Sequence, residues 1–371
     1  MDPRIEKLAA ILVNYSCSLK KGENILIECY GASPENLCKA LIREVYSAGA
    51  FPYFILKNNS IIREIIKNCD PGQLEFMSEV DLKQMKEMNA YIGIRAYDNV
   101  NELADTDRDK INTYLKFYSN PIIDYRVEKT KWVVLRYPNN SMAQLANTSL
   151  EEFENFYFDV CNLDYGRMSA AMDKLVKLLN KTDRVSIKGQ GTDLEFSIKD
   201  IPAIKCAGEN NIPDGEVFTA PVINSVNGKI SFNIPQVYQS TTFENVALEF
   251  KDGKAVKATC SGDNEKLDKL LDIDCGARYI GEFAIGVNPY ITKPMKDGLF
   301  DEKIMGSIHF ACGKAYQEAD NGNKSCIHWD LISIQTCEHG GGEIYFDDVL
   351  IRKDGRFVPG ELDCLNPENL K

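Results

Sequence analysis

Apolar positions recur every three or four residues at the start of the chain. Ile5, Leu8, Leu12 and Tyr15 share one face and predict a helix. After Gly22, the run Ile25-Leu26-Ile27 predicts a strand. Ser33-Pro34-Glu35 reads as an N-cap with proline at the first helical position, and Leu37, Leu41 and Val45 line the helix that follows, to Gly49. Pro52 to Leu56 predicts the next strand. This βαβ order favours a parallel sheet with helices on its faces. Helical stretches near 60–69 and 78–88 lead to the apolar run Ala90–Ile94, and a charged helix near 106–118 leads to a strand at Trp132–Leu135. Ser149-Leu150-Glu151-Glu152 opens a helix with a capping box. Met168, Met172, Leu175 and Leu179 form the stripe of a helix over about 166–179, at the spacing of a core face.

From Arg184 the period shortens. Val185–Lys188 and Leu194–Ile198 predict short strands around Gly189-Gln190-Gly191-Thr192, which leads into a strand and so is not a phosphate loop. Asn227-Gly228 and Asp252-Gly253 read as hairpin turns. The runs Ser307–Ala311, Ile327–Ile332 and Gly342–Leu350 read as further strands. The expected fold is α/β with two domains. Residues 1–180 are expected to form an N-terminal α/β domain with a largely parallel sheet, and residues 181–371 a C-terminal α+β domain rich in antiparallel strands.

Composition narrows the function. The 43 basic and 55 acidic residues give a net charge of −12, without the basic footprint that nucleic acid requires. No apolar run is long enough for a transmembrane helix, and the early charges in Asp2-Pro3-Arg4 do not fit a signal peptide. The twelve cysteines contain no Cys-x-x-Cys pair, so free thiols in a reducing cytoplasm are expected. Only three histidines occur, at 309, 328 and 339, all near the C-terminus.

Those histidines frame the candidate chemistry. In Cys326-Ile327-His328-Trp329-Asp330, strand alternation projects His328 and Asp330 to one face. Imidazole beside carboxylate suits zinc or a similar ion, although such a pair also occurs as a plain surface contact. His309 lies in a second apolar segment, Gly306-Ser307-Ile308-His309-Phe310, with Tyr316 seven residues on. Glu216 in Gly215-Glu216-Val217-Phe218 and Glu282 in Gly281-Glu282-Phe283-Ala284 are carboxylates in apolar runs, either strand-edge charges or ligands. Glu302 lies in Phe300-Asp301-Glu302-Lys303. His339 precedes a triple glycine that serves either as part of a cleft or as a strand connection. No His-Glu-x-x-His and no Gly-x-Ser-x-Gly occurs. A nucleophile from Cys312 or Cys326 would leave the three acids at 216, 282 and 330 without a role.

Five segments in one order resemble the thermophilic aminopeptidase family of metallopeptidases, the aminopeptidase T or M29 family. They are Pro213-Asp214-Gly215-Glu216-Val217-Phe218-Thr219-Ala220-Pro221, Gly281-Glu282-Phe283-Ala284-Ile285-Gly286, Phe300-Asp301-Glu302-Lys303-Ile304, Gly306-Ser307-Ile308-His309 and Ser325-Cys326-Ile327-His328-Trp329-Asp330. The resemblance implies Glu216, Glu282, His309, His328 and Asp330 as metal ligands, with Glu282 bridging two ions. It implies Tyr316 as the active-site tyrosine and Glu302 as a further ligand or general base. Two divalent ions, Zn, Co or Mn with Mg also possible, would activate a water for aminopeptidase cleavage of short peptides with a free N-terminus. The family also implies a homodimer, with residues 1–180 as scaffold and dimerisation surface and residues 181–371 carrying the catalytic metal site. Gln317-Glu318-Ala319-Asp320-Asn321-Gly322 departs from the family's Pro/Thr/Gly-rich stretch, which bears on loop shape and substrate preference. Two alternatives stay open: another metal-dependent amidase or dipeptidase, and a metal-binding module without catalysis.

Overall fold

The chain folds with mixed α/β architecture, as the computed structural model describes for residues 2–238 and 241–371. It divides into two units, Met1–Asn162 with Gly208–Ile212, and Leu163–Ala207 with Pro213–Lys371. The division falls ahead of the helix Tyr165–Leu179 and not after it near 180. The stripe Met168, Met172, Leu175 and Leu179 is buried, and this helix packs on Ile204–Cys206 and Gly360–Leu365 of the second unit.

In the first unit, the strands Phe51–Lys57, Asn24–Tyr30, Ala90–Arg95, Lys131–Arg136 and Asn211–Ile212 lie side by side in that order, all parallel. The helix Glu35–Ser47 makes the first crossover, with Leu37, Leu41 and Val45 buried. Its N-cap is Pro34 and not Ser33, and no side chain caps it. The charged stretch near 106–118 is in fact Arg108–Tyr114, a π-turn Leu115–Ser119 and the helix Asn120–Lys129. Ser149 caps Leu150–Cys161 by accepting from the Glu152 amide, while the Glu152 carboxylate accepts from Thr148 Oγ1.

The carboxyl ends of these parallel strands hold a buried charge cluster. Glu28 is 8% exposed. Its carboxylate meets Lys57 Nζ at 2.8 Å and Arg95 NH1 at 3.3 Å, and accepts from the Tyr91 hydroxyl at 2.7 Å. Burial alone would raise the Glu28 pKa, but Lys57 and Arg95 hold it below the ordinary carboxylate value. A depressed folded-state pKa means the contribution to stability is complete above the unfolded value. It is lost as pH falls through the folded value.

The second unit contains two antiparallel sheets. In the larger, Arg184–Gly189 and Thr192–Ser197 pair through the turn Gln190-Gly191, and Asp252-Gly253 joins Thr241–Lys251 to Lys254–Ser261. Two sequence expectations change. Asn227-Gly228 lies inside the strand Asn227–Ser231, paired on both sides. A Cβ at Gly228 would stand 2.1 Å from the Asp193 carbonyl oxygen, so this glycine permits close strand approach and makes no turn. Gly342–Leu350 is two strands, Gly342–Phe346 and Val349–Lys353, because Asp347 and Asp348 adopt positive φ and reverse the chain. Among the described residues no helix is long and apolar enough to cross a membrane.

The smaller sheet has the order His328–Ile334, Ser307–Gly313, Ile280–Gly286, Glu216–Thr219, Ile204–Cys206. Its three central strands are buried at every position. Trp329, on the face opposite His328 and Asp330, packs against Tyr238 and Phe243.

Glu28→Gln is expected to remove the carboxylate partner of Arg95 and leave Lys57 with only the more distant Asp81, 3.8 Å away, at about 3 kcal/mol. Hydrogen exchange of the Asn24–Tyr30 amides should report that loss at pH 7. The gap from the native protein should close only as pH falls below the ordinary carboxylate range.

Candidate metal centre

Strand register gathers the candidate residues. Across the antiparallel sheet Ala311 pairs with both Glu282 and Asp330, His309 with Ala284, Gly313 with His328, and Gly286 with Glu216. Paired residues share a face, and so do residues two apart along a strand. Glu216, Glu282, His309, His328 and Asp330 therefore project from one face of four adjacent strands. Their partners in register are Ala284, Ala311, Gly286 and Gly313 with Ile332 and Cys206, and the two glycines admit the Ile304 and Ile327 carbonyl oxygens where a Cβ would stand.

The side chains converge. His309 Nε2 lies 3.5 Å from both Glu216 Oε2 and Glu282 Oε1. His328 Nε2 lies 3.1 Å from Glu282 Oε2 and 3.3 Å from Asp330 Oδ1. Glu282 thus turns one oxygen to each imidazole. His328 Nδ1 donates to the Lys314 carbonyl at 2.7 Å, which commits the proton to that nitrogen and leaves Nε2 to face the carboxylates. Glu216 is 6% exposed, Glu282 3% and His309 1%.

The other two predicted residues lie beside this cluster. Glu302 caps the short helix Gly298–Asp301 and contacts the ammonium of Lys303. A Cβ at Gly286 would lie 2.5 Å from the Ile304 carbonyl oxygen and 3.0 Å from that of Glu302, so the glycine lets this loop settle onto the strand. Tyr316 is half exposed, its ring 4.6 Å from the His328 ring and 5.6 Å from Phe218. A cavity of about 200 Å³ adjoins Glu302, His328 and Asp330 and is walled by Val237, Tyr238 and Ile332. His339 lies elsewhere. Its Nδ1 is 2.9 Å from Thr336 Oγ1, and it lines a separate cavity of about 320 Å³ with Gln190 and Thr192.

Lys303 escaped the sequence reading. It is 1% exposed, with Nζ 3.4 Å from Glu216 Oε1. The available signal was a lysine between Phe300 and Ile304, in a segment already marked by its acids. Asp214 and Cys206 also lie with Glu216, in a third grouping of potential ligand atoms.

Charge crowding shifts every group. Burial raises Glu216 above its ordinary value, against the opposing pull of Lys303 and His309. Burial also raises Glu302, to about 8, with Lys303 opposing and Asp330 and Glu216 adding. Burial works against a charged His309, but Glu282 and Glu216 outweigh it and raise the imidazole to about 9. Burial likewise opposes a charged His328, and Asp330 with Glu282 raises it to about 11. Burial would raise Glu282 and Asp330, yet the imidazoles hold both below the carboxylate norm. The cluster as a whole attracts positive charge.

A divalent ion fits this demand. Glu216 Oε2, His328 Nε2 and Asp330 Oδ1 are buried without a hydrogen-bond partner. The atoms of Glu216, Glu282 and His309 lie within 4.8 Å of one another, as do those of Glu282, His328 and Asp330. Two imidazoles among carboxylates are the donors that transition ions and zinc prefer.

Comparisons with known proteins agree. Residues 1–357 match the thermophilic metalloprotease (M29) family. Aminopeptidase 2 of Geobacillus stearothermophilus is 24% identical, over 96% of each chain. Aminopeptidase T of Thermus aquaticus is 33% identical over 40% of this chain and 38% of its own. Among solved structures, wild-type AmpT from Thermus thermophilus superposes with a TM-score of 0.81 at 23% identity, covering 96% of this chain and 99% of that one. A 2,5-dihydroxypyridine dioxygenase from Pseudomonas putida KT2440 shares the fold at a TM-score of 0.60 and 13% identity, covering 97% and 98%.

Adding Zn²⁺, Co²⁺ or Mn²⁺ to chelator-treated protein is expected to raise its melting temperature by several degrees. An ion at a hundred times its dissociation constant stabilises by about 2.7 kcal/mol. Differential scanning calorimetry checks this, and indifference to all three ions would contradict the fit.

Proposed function

The chain belongs to the thermophilic metalloprotease (M29) family, and on that premise we propose that it is an aminopeptidase with a dinuclear centre, removing N-terminal residues from short peptides. The observation that carries this reading is Glu282, whose two oxygens face His309 and His328 separately. It is common to two groups of potential ligands, Glu216–Glu282–His309 and Glu282–His328–Asp330. A carboxylate bridges two ions readily, and an imidazole does not. Zn, Co or Mn suits this mixed set better than Mg.

Divalent ions held there would polarise the scissile carbonyl and make a water acidic enough to attack it at neutral pH. The chain's own groups supply the rest. Glu302 stands outside both groups and beside Lys303, a position suited to receive the water's proton and return it to the leaving amine. The packing of Tyr316 on His328, with half its surface in solvent, supports its role as hydrogen-bond donor to the developing oxyanion. The cavity of about 200 Å³ beside Glu302 and Asp330 has room for one side chain, in keeping with small substrates. A homodimer is supported by the edge strand Phe51–Lys57, which exposes Phe51, Tyr53, Phe54 and Leu56. Twelve free thiols support a reducing, cytoplasmic setting.

His328→Ala should lower kcat/KM on an aminoacyl p-nitroanilide at least about a hundredfold with saturating metal, because it removes a ligand common to binding and positioning. His339→Ala, in its separate cavity, should stay near native activity. Circular dichroism should be native for both. Near-native activity of His328→Ala would refute the mechanism, and equal losses in the two variants would refute the assignment of roles.

A further inference from the structure

The two groups of potential ligands have the same composition, two carboxylates and one imidazole, with Glu282 common to both. Their surroundings differ: a buried cation contacts the first group, where Asp214 also lies beside Glu216. Lys303 is 1% exposed, and its ion-pair contacts are Glu216 at 3.4 Å and Glu302. It thus touches the Glu216–Glu282–His309 group directly and reaches Asp330 of the other group only at longer range. Glu216 divides its oxygens: Oε1 faces the ammonium, while Oε2 faces His309 and is one of the buried atoms without a hydrogen bond.

We propose that Lys303 is a fixed internal cation that makes the two halves of the centre unequal, so that Glu282–His328–Asp330 fills first and tightly and Glu216–Glu282–His309 second and weakly. The inference rests on the dinuclear reading above. An ion taken up through Glu216 Oε2 stays beside the ammonium on Oε1, and like charges in a buried site repel strongly. The same carboxylate also spends part of its charge on Lys303 and has less to offer the ion. The other half of the centre has no fixed cation in ion-pair contact among the described residues. Its imidazole is also held in orientation by the Lys314 carbonyl, whereas His309 Nδ1 is buried without a partner. Both differences act in one direction. Lys303 is a positioning residue here: it holds Glu216 and Glu302 apart from each other's charge and sets the affinity of one half-site without touching substrate.

The test is Mn²⁺ binding to chelator-treated full-length protein, by calorimetry and by the paramagnetic resonance signal of free Mn²⁺. The native chain should bind two ions in two distinct steps. Lys303→Met should tighten the weak step by about tenfold or more and leave the tight step within about threefold, since the ammonium contacts one half-site and acts on the other only at longer range. Glu216→Gln should abolish the weak step and keep the tight one. This second variant decides the order of filling even if Lys303→Met fails to fold. An unchanged or weakened second step in folded Lys303→Met would overturn the proposal, as would loss of the tight step in Glu216→Gln or two equal steps in the native chain. Those results leave the dinuclear reading intact. Uptake of no ion, or of only one, by the native chain would overturn the dinuclear reading and this inference together.

Discussion

Four carboxylates, from Glu216, Glu282, Glu302 and Asp330, crowd one side of a buried sheet, and among the described residues Lys303 is the one lysine or arginine in ion-pair contact with them. Burying an uncompensated anion is unfavourable by several kcal/mol, so this excess of negative charge governs everything around it. It draws protons onto His309 and His328, it separates the affinities of neighbouring acids, and it makes the site receptive to divalent ions. Gly286 and Gly313 belong to the packing of this sheet, since the Ile304 and Ile327 carbonyl oxygens approach where a larger side chain would stand.

The first unit poses the same electrostatic problem and solves it differently. Glu28 is as deeply buried as Glu216, but Lys57, Arg95 and Tyr91 satisfy it with side chains alone. That cluster is closed and stabilises the parallel sheet. In the second unit the compensation is incomplete, and three buried polar atoms facing the centre lack hydrogen bonds. Incomplete compensation on a buried antiparallel frame leaves groups that could hold a metal ion, gathered by strand pairing alone.

The fold alone does not choose the reaction. Both an aminopeptidase from Thermus thermophilus and a dioxygenase from Pseudomonas putida superpose on nearly the whole chain. The chemistry therefore resides in the side chains on one sheet face. Those side chains come from four segments spread over more than a hundred residues of sequence, and only the pairing of strands makes them neighbours.

Much of this was legible in the sequence, and for local reasons. The stripes of Leu37, Leu41 and Val45, and of Met168, Met172, Leu175 and Leu179, mark their helices because burial of one face repeats every 3.6 residues. The His-x-Asp alternation placed His328 and Asp330 on one face because a strand has period two. The ordered motifs pointed by resemblance to Glu216, Glu282 and His309, which the fold brings into one cluster. What needed the tertiary structure was every feature set by a distant partner. Asn227-Gly228 has strong turn character in isolation, yet strands on both sides claim it and the close approach of Asp193 explains its glycine. The break at Asp347-Asp348 carries no glycine to announce it. Lys303 looks like an ordinary loop lysine until the fold closes over it and sets its ammonium against Glu216. Local periodicity and motif order determine which residues form elements and which carry chemistry. Which charges face one another, and which remain unsatisfied, is decided only when strands remote in sequence come into register, because electrostatic interaction depends on distance in space.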